Sequence, residues 1–208
     1  MKIKILDNFL NNYDFERLTS LNLQKVSSKQ LKVYHNKIKD DLILHNECID
    51  KKILLDLNNN YHSKALNILK EINPAKVSLY DYSEFQIIET GAECKFPTHD
   101  DTPNKLLSGV VYLKPNENSG TVFYSKKNGE GKREVDWRVN RAVFFSRKER
   151  ETWHSYQGDG KSNRIVLVYN LMTNRIKDVF KIENKNYFYG NLRYKLNPYI
   201  YKFFKKTI

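Results

Sequence analysis

The chain changes its repeat at Asn73-Pro74, and that change limits its folds more than any other feature. Before it, Ile49, Ile53, Leu54, Leu57, Tyr61, Ala65, Leu66, Ile68 and Leu69 recur at helical spacing from about Cys48 to Ile72. The Asn-Pro pair ends that helix. From Val77 onward the apolar residues come in short runs instead: 77–82, 85–89, 107–113, 121–124, 133–137, 142–146, 152–155 and 164–171. Pro103, the segment 115–120, the segment 128–131, Asn140 and the segment 158–160 separate them with turn residues. Short strands in such number bury their faces against one another, which predicts a mainly β (α+β) sandwich or barrel with helices packed outside.

Ahead of the long helix, Lys2 to Leu6 alternates as a first strand, and Asn12 suits the cap of a helix carrying Phe15, Leu18 and Leu21. A chain of 208 residues suits one domain. We divide it into helical N-terminal support over 1–75, a β core over 76–173 and a basic, aromatic C-terminal extension over 174–208. In that extension Asn197 and Pro198 suit the start of a last helix, with Ile200, Phe203, Phe204 and Ile208 as its stripe and Lys205 and Lys206 at its end. The stripe is expected to dock on its own domain.

Composition narrows the setting. The longest apolar runs, such as Ile165 to Tyr169, are strand-length, so no membrane span is expected. The opening MKIKILDNFL lacks the apolar region of a signal peptide. Cys48 and Cys94 make no disulfide framework, and a reducing, cytoplasmic setting is the simplest reading. The net charge of +12 favours acidic partners, nucleic acid among them, although no nucleic-acid motif accompanies it.

The chemistry gathers at two histidines. In the stretch FPTHDDTPNKLLSGVVYL, His99 and Asp101 share one face of an extended chain, and Asp100 points away. His154 lies in ETWHSYQ, and Arg164 follows ten residues later at the head of an apolar strand, on the face of Val166 and Val168. Two imidazoles and one carboxylate can occupy one face of an octahedral iron and leave three positions open. An arginine facing a barrel interior costs free energy unless it meets an anion, such as the far carboxylate of a dicarboxylate.

HDD at 99–101, WHS at 153–155 and NRIVL at 163–167 together resemble the Fe(II)- and 2-oxoglutarate-dependent dioxygenases. Within that superfamily the chain looks most like the prolyl 4-hydroxylase branch, on FQIIETGAECKFPTHDD, GVVYL and SGTVF, with ILDNFLNNYDFERL as the opening strand and helix. The resemblance runs from Ile5 to about Met172. It implies a double-stranded β-helix, a jelly-roll or cupin-like barrel. It implies Fe(II) on His99, Asp101 and His154, with 2-oxoglutarate and dioxygen as co-substrates and ascorbate as a candidate reductant. Arg164 would hold the distal carboxylate of 2-oxoglutarate, with the Tyr112 hydroxyl helping it.

The substrate that the resemblance implies is a protein or peptide side chain, prolyl first; a nucleic-acid base is the alternative. Two readings of another class remain beside it. His99-Asp100 could be the pair of an HD-type metal phosphohydrolase, and a jelly roll can be a binding module without activity. Gln86 and Phe96 either line a pocket or only pack. Trp137 and Trp153 either flank a groove or belong to the core. Cys94 reads as a plain buried thiol. Arg147, Lys148 and Arg150 read as a solvated loop that could steer an acidic substrate.

Overall fold

The computed structural model describes residues 1–40, 42–45 and 48–202, with side chains through Leu196. Among these, eleven strands form two antiparallel sheets that pack face to face. The larger sheet orders β1 (Ile3–Leu6), β9 (Ala142–Phe145), β6 (Lys105–Lys114), β11 (Arg164–Met172), β4 (Tyr82–Thr90), β2 (Leu31–Lys39) and β3 (Leu42–Leu44). The smaller orders β5 (Lys95–His99), β10 (Trp153–Gln157), β7 (Thr121–Tyr124) and β8 (Arg133–Val135). The jelly-roll expectation holds.

Strand β11 explains the larger sheet. Its nine residues, RIVLVYNLM, are all buried, because β6 and β4 flank it and both of its faces are covered. The outer face packs on α1 (Asn12–Thr19) and α2 (Lys51–Ile72), where Leu54, Leu57, Ala65, Ile68 and Leu69 meet Phe85, Ile87, Leu167 and Tyr169. Each fully buried Leu or Ile there contributes about 2 kcal/mol over exposure, so Leu57→Ala should cost roughly 2–5 kcal/mol. The inner face meets the smaller sheet through Tyr112, Phe123, Val135, Val143, Phe145, Val166 and Val168. Gly109 lets β6 and β9 approach, since a Cβ there would sit 2.2 Å from the Phe144 ring.

The helix caps follow from short polar side chains. Asn11, one residue earlier than expected, accepts from the Asp14 backbone N–H at 2.8 Å and caps α1. Asp50 accepts from Lys52 at 2.6 Å and caps α2. Asp14 is buried and accepts from Tyr61 and Asn60 of α2, tying the two helices together.

Three expectations need correction. Within the segment assigned to helical support, Leu31–Lys39 is a strand that extends the larger sheet beside β4. Its buried side alternates Tyr34, Asn36 and Ile38, and the polar Asn36 hid the apolar period. Its amide donates to Tyr34 O and Phe85 O, which makes burial tolerable. The run 77–82 is not a strand: Pro74–Leu79 forms a 3-10 turn that buries Lys76, and β4 starts at Tyr82. The last helix, α4 (Tyr187–Lys202), begins ten residues before Asn197, with the Asn186 side chain accepting from Tyr189 N–H. It follows α3 (Ile176–Ile182). The proposed stripe of Ile200, Phe203, Phe204 and Ile208, with Lys205 and Lys206, lies outside the residues whose side chains are described. No helix among the described residues is long and apolar enough to cross a membrane.

Candidate metal centre

The two histidines reach each other through strand pairing. His154 of β10 lies opposite His99 of β5 on one side and Phe123 of β7 on the other. The β10–β5 register then slips, from His154 opposite His99 to Tyr156 opposite Phe96. Pro97 and Thr98 form the bulge, a place where the missing N–H of proline costs the ladder little. The direct pairing of His154 with His99 sets the imidazole rings 4.3 Å apart between centroids.

Each ring has its tautomer set by backbone. His99 Nδ1 lies 2.8 Å from Pro97 O, and His154 Nδ1 lies 3.0 Å from Thr152 O. A carbonyl only accepts, so each Nδ1 donates its proton there and Nε2 is the ring atom left for a metal. Burial, and then the neighbouring His154, push His99 down to about 4, so the ring is neutral at physiological pH.

Asp101 completes the group. One donor atom from each of His99, Asp101 and His154 lies within 4.8 Å of the others. Ser108 Oγ donates to Asp101 Oδ2 at 2.6 Å, and Lys105 Nζ lies 2.8 Å from Oδ1. Burial alone would raise the Asp101 carboxyl; Lys105 and the two imidazoles outweigh it and hold the group well below the usual carboxylate range. Asp100 faces the other way, into a bidentate pair with Arg193 of α4 at 2.9 Å on each arm. An HD-type centre would need Asp100 as a ligand, in a helical fold, and neither condition is met.

The cluster lines a cavity of about 660 Å³ between the sheets. Arg164, Val166 and Val168 of β11 share its wall with Gln86, Phe96, Phe145, Thr121 and Tyr156. Arg164 is only 6% exposed, and its Nε and Nη1 meet no acceptor among the described residues. Its guanidinium lies over the Tyr156 ring. Burial pushes Arg164 down to about 10, so it stays charged near neutrality. A buried, charged fork with two unmet donors, facing the same cavity as three ligand atoms, is built to receive an anion.

Tyr112 lies within electrostatic reach of Arg164, and its hydroxyl is taken up by Thr121. It is not among the residues that line the cavity. Its hydroxyl donates to Thr121 Oγ1 and accepts from Thr121 N–H, both at 2.9 Å, and its ring stacks on Trp137. Thr121, whose Oγ1 accepts that bond, lines the wall instead. Tyr156, two residues after His154 and so on the same face of β10, was missed; the period-2 rule was enough to find it. Lys105 and Ser108 were missed because only the turn after Asp101 brings β6 back beside it. Trp137 and Trp153 pack, each donating its N–H to a backbone carbonyl. Arg147 is fully buried rather than solvated, paired with Glu149 and Glu183. Cys94 is buried.

The solved structures agree with this architecture. A 2OG-Fe(II) oxygenase family oxidoreductase from Burkholderia pseudomallei superposes with a TM-score of 0.58 at 12% identity, over 82% of this chain and 84% of that one. A prolyl hydroxylase from Trichoplax adhaerens, in complex with a hypoxia inducible factor oxygen degradation domain peptide fragment, gives 0.54 at 14%, over 85% and 86%. At these identities the likeness is one of fold, and the chain has the fold of the 2OG-Fe(II) oxygenases and prolyl hydroxylases. The fold that the motifs implied is borne out. No protein-family model and no curated protein matches the sequence.

Proposed function

We propose that this protein is a non-haem Fe(II)- and 2-oxoglutarate-dependent dioxygenase that hydroxylates a C–H bond, with a peptidyl, prolyl-type side chain as substrate. The observation that carries the proposal is one cavity holding both the His99, Asp101 and His154 donors and the unmet guanidinium of Arg164. The donor set fits iron: two imidazoles and one ionised carboxylate, with room on the cavity side. Bound together, iron and 2-oxoglutarate supply the oxidising power to place one atom of dioxygen on a C–H bond, leaving succinate and CO2.

The chain's own residues do the rest. Pro97 O and Thr152 O fix the two rings with their Nε2 atoms left for the metal. Ser108 and Lys105 keep Asp101 ionised and oriented. Arg164 pairs with the far carboxylate of the co-substrate, on the floor made by Tyr156. Val166, Val168 and Phe145 exclude water between these ends. What supports a peptide substrate is the fold shared with the Trichoplax prolyl hydroxylase, which holds a peptide, together with the proline-branch motifs of the sequence.

The test is turnover. Purified protein with Fe(II), 2-oxoglutarate and proline-containing peptides should form succinate in step with a one-oxygen gain in a peptide mass. Succinate driven by a single-stranded oligonucleotide and by no peptide would overturn the peptide assignment. No succinate under any condition from folded, iron-loaded protein would overturn the oxygenase reading.

A further inference from the structure

Asp100, between the two ligands of the HDD motif, belongs to a buried ion cluster that reaches the C-terminal extension. Arg193 of α4 donates to both Asp100 oxygens at 2.9 Å and lies 2.8 Å from Glu149. Arg147 pairs with Glu149 and Glu183, and Lys76 pairs with Glu183 at 2.6 Å. Three cations thus meet three anions, all but Arg193 nearly inaccessible to solvent. The same Asp100 accepts the Arg150 backbone N–H at 2.9 Å, and Arg150 O accepts from the Trp153 indole at 3.0 Å. Arg150 adopts a left-handed backbone, φ 59°, which places its N–H and C=O at those two partners.

Asp100 therefore touches both ligand-bearing segments. It is covalently next to His99 and Asp101, and it is hydrogen-bonded to the loop that delivers His154. We infer that the Arg193–Asp100 pair is a clasp that positions the metal ligands, and that α4 is part of the working centre and not an appendage. Tyr194, the next residue of α4, lines the cavity, which places the helix at the same site by a second contact. The inference rests on the metal-centre reading above. Arg193 and Asp100 are positioning residues, acting through the backbone that holds the ligands. Arginine suits the role because its planar fork fixes a carboxylate in orientation, which a lysine point charge does not.

The test uses the full chain and Co(II) alone as the probe, reading affinity and the visible ligand-field band. Removing a partner that orients a ligand costs roughly 10- to 100-fold in metal affinity, and Arg193→Met should lose that much, with an altered band. Arg193→Lys should fall between it and wild type. Lys185→Met, which breaks only the exposed pair with Glu151, should leave both readings unchanged. If Arg193→Met folds poorly, Asp100→Asn keeps the volume and should weaken Co(II) in the same direction. A lower melting temperature with wild-type affinity and band would overturn the clasp while leaving the metal centre intact. Co(II) binding that survives His154→Ala would overturn both.

Discussion

Two charged clusters lie back to back across the His99–Asp101 turn, and they obey opposite rules. On the Asp100 side, Lys76, Arg147 and Arg193 meet Glu149, Glu183 and Asp100 in close contact. On the Asp101 side, Arg164 points two unmet donors into the cavity and three ligand atoms converge on one spot. Both clusters are removed from water, where unpaired charge is expensive. In the first every charge has an opposite partner, with only Arg193 Nε left without an acceptor, and it serves as scaffold. The unsatisfied one carries a cost that only a ligand can repay, which is why it reads as the site.

That contrast can be broken most severely at His154. His154→Ala removes a ligand atom and should weaken Co(II) or Fe(II) beyond the roughly 100-fold that an orienting partner is worth, as read by metal titration. The melting temperature of the metal-free protein should fall only modestly, by what the ring's packing on Phe145 and Phe123 and its bond to Thr152 O contribute.

The next largest effect lies in the satisfied cluster. Glu183→Ala leaves Lys76 and Arg147 short of their shared acid, and breaking such a buried pair costs about 3–5 kcal/mol. For a chain of this size that lowers the melting temperature by roughly 10 °C, measured by scanning calorimetry, with far less loss of metal affinity than in His154→Ala.

Arg164 sharpens the comparison because its two effects have opposite sign. Arg164→Met should weaken 2-oxoglutarate by about 10- to 100-fold, the worth of a charge-assisted hydrogen-bonded pair. It should also leave the metal-free protein as stable or slightly more stable, since a buried unmet charge is gone. Equilibrium binding and melting on the same sample check both.

The smallest expected effect is a pH slope in the metal-free protein. The folded His99 titrates near 4, below its ordinary value of 6.5. Between those values the unfolded chain holds a proton that the folded protein does not. Stability should therefore rise with pH across that window and fall as pH drops through it. The Asp101 carboxyl, held low, adds nothing there, since its contribution is lost only below the ordinary carboxylate range. Melting temperature against pH, compared with His99→Gln, isolates the slope.

Much of the working side was legible in the sequence because it depends on period and offset. His99, Asp101, His154 and Arg164 converge on one cavity; the two histidines and Arg164 sit at strand ends whose alternation aims them inward, and Asp101 lies in the turn just after β5. What stayed hidden depends on long-range packing. Strand β2 was disguised by Asn36, whose partner Phe85 O is forty-nine residues away. Arg147, in a run of charged residues, reads as surface until Glu183 of the C-terminal region covers it. Tyr112 carried the resemblance, but Thr121 takes up its hydroxyl in the fold. Local pattern found the unsatisfied groups, and only the folded chain could say which charges were satisfied.

The central claim is that the cavity takes a metal at one end and a dicarboxylate at the other. Adding Fe(II) and then 2-oxoglutarate to the protein without oxygen tests both ends together, through the visible charge-transfer band of the chelate. The band should form in the wild type, vanish in His154→Ala, and need far more 2-oxoglutarate in Arg164→Ala. Folded, iron-loaded wild type that gives no band, or a band indifferent to both substitutions, would contradict the account.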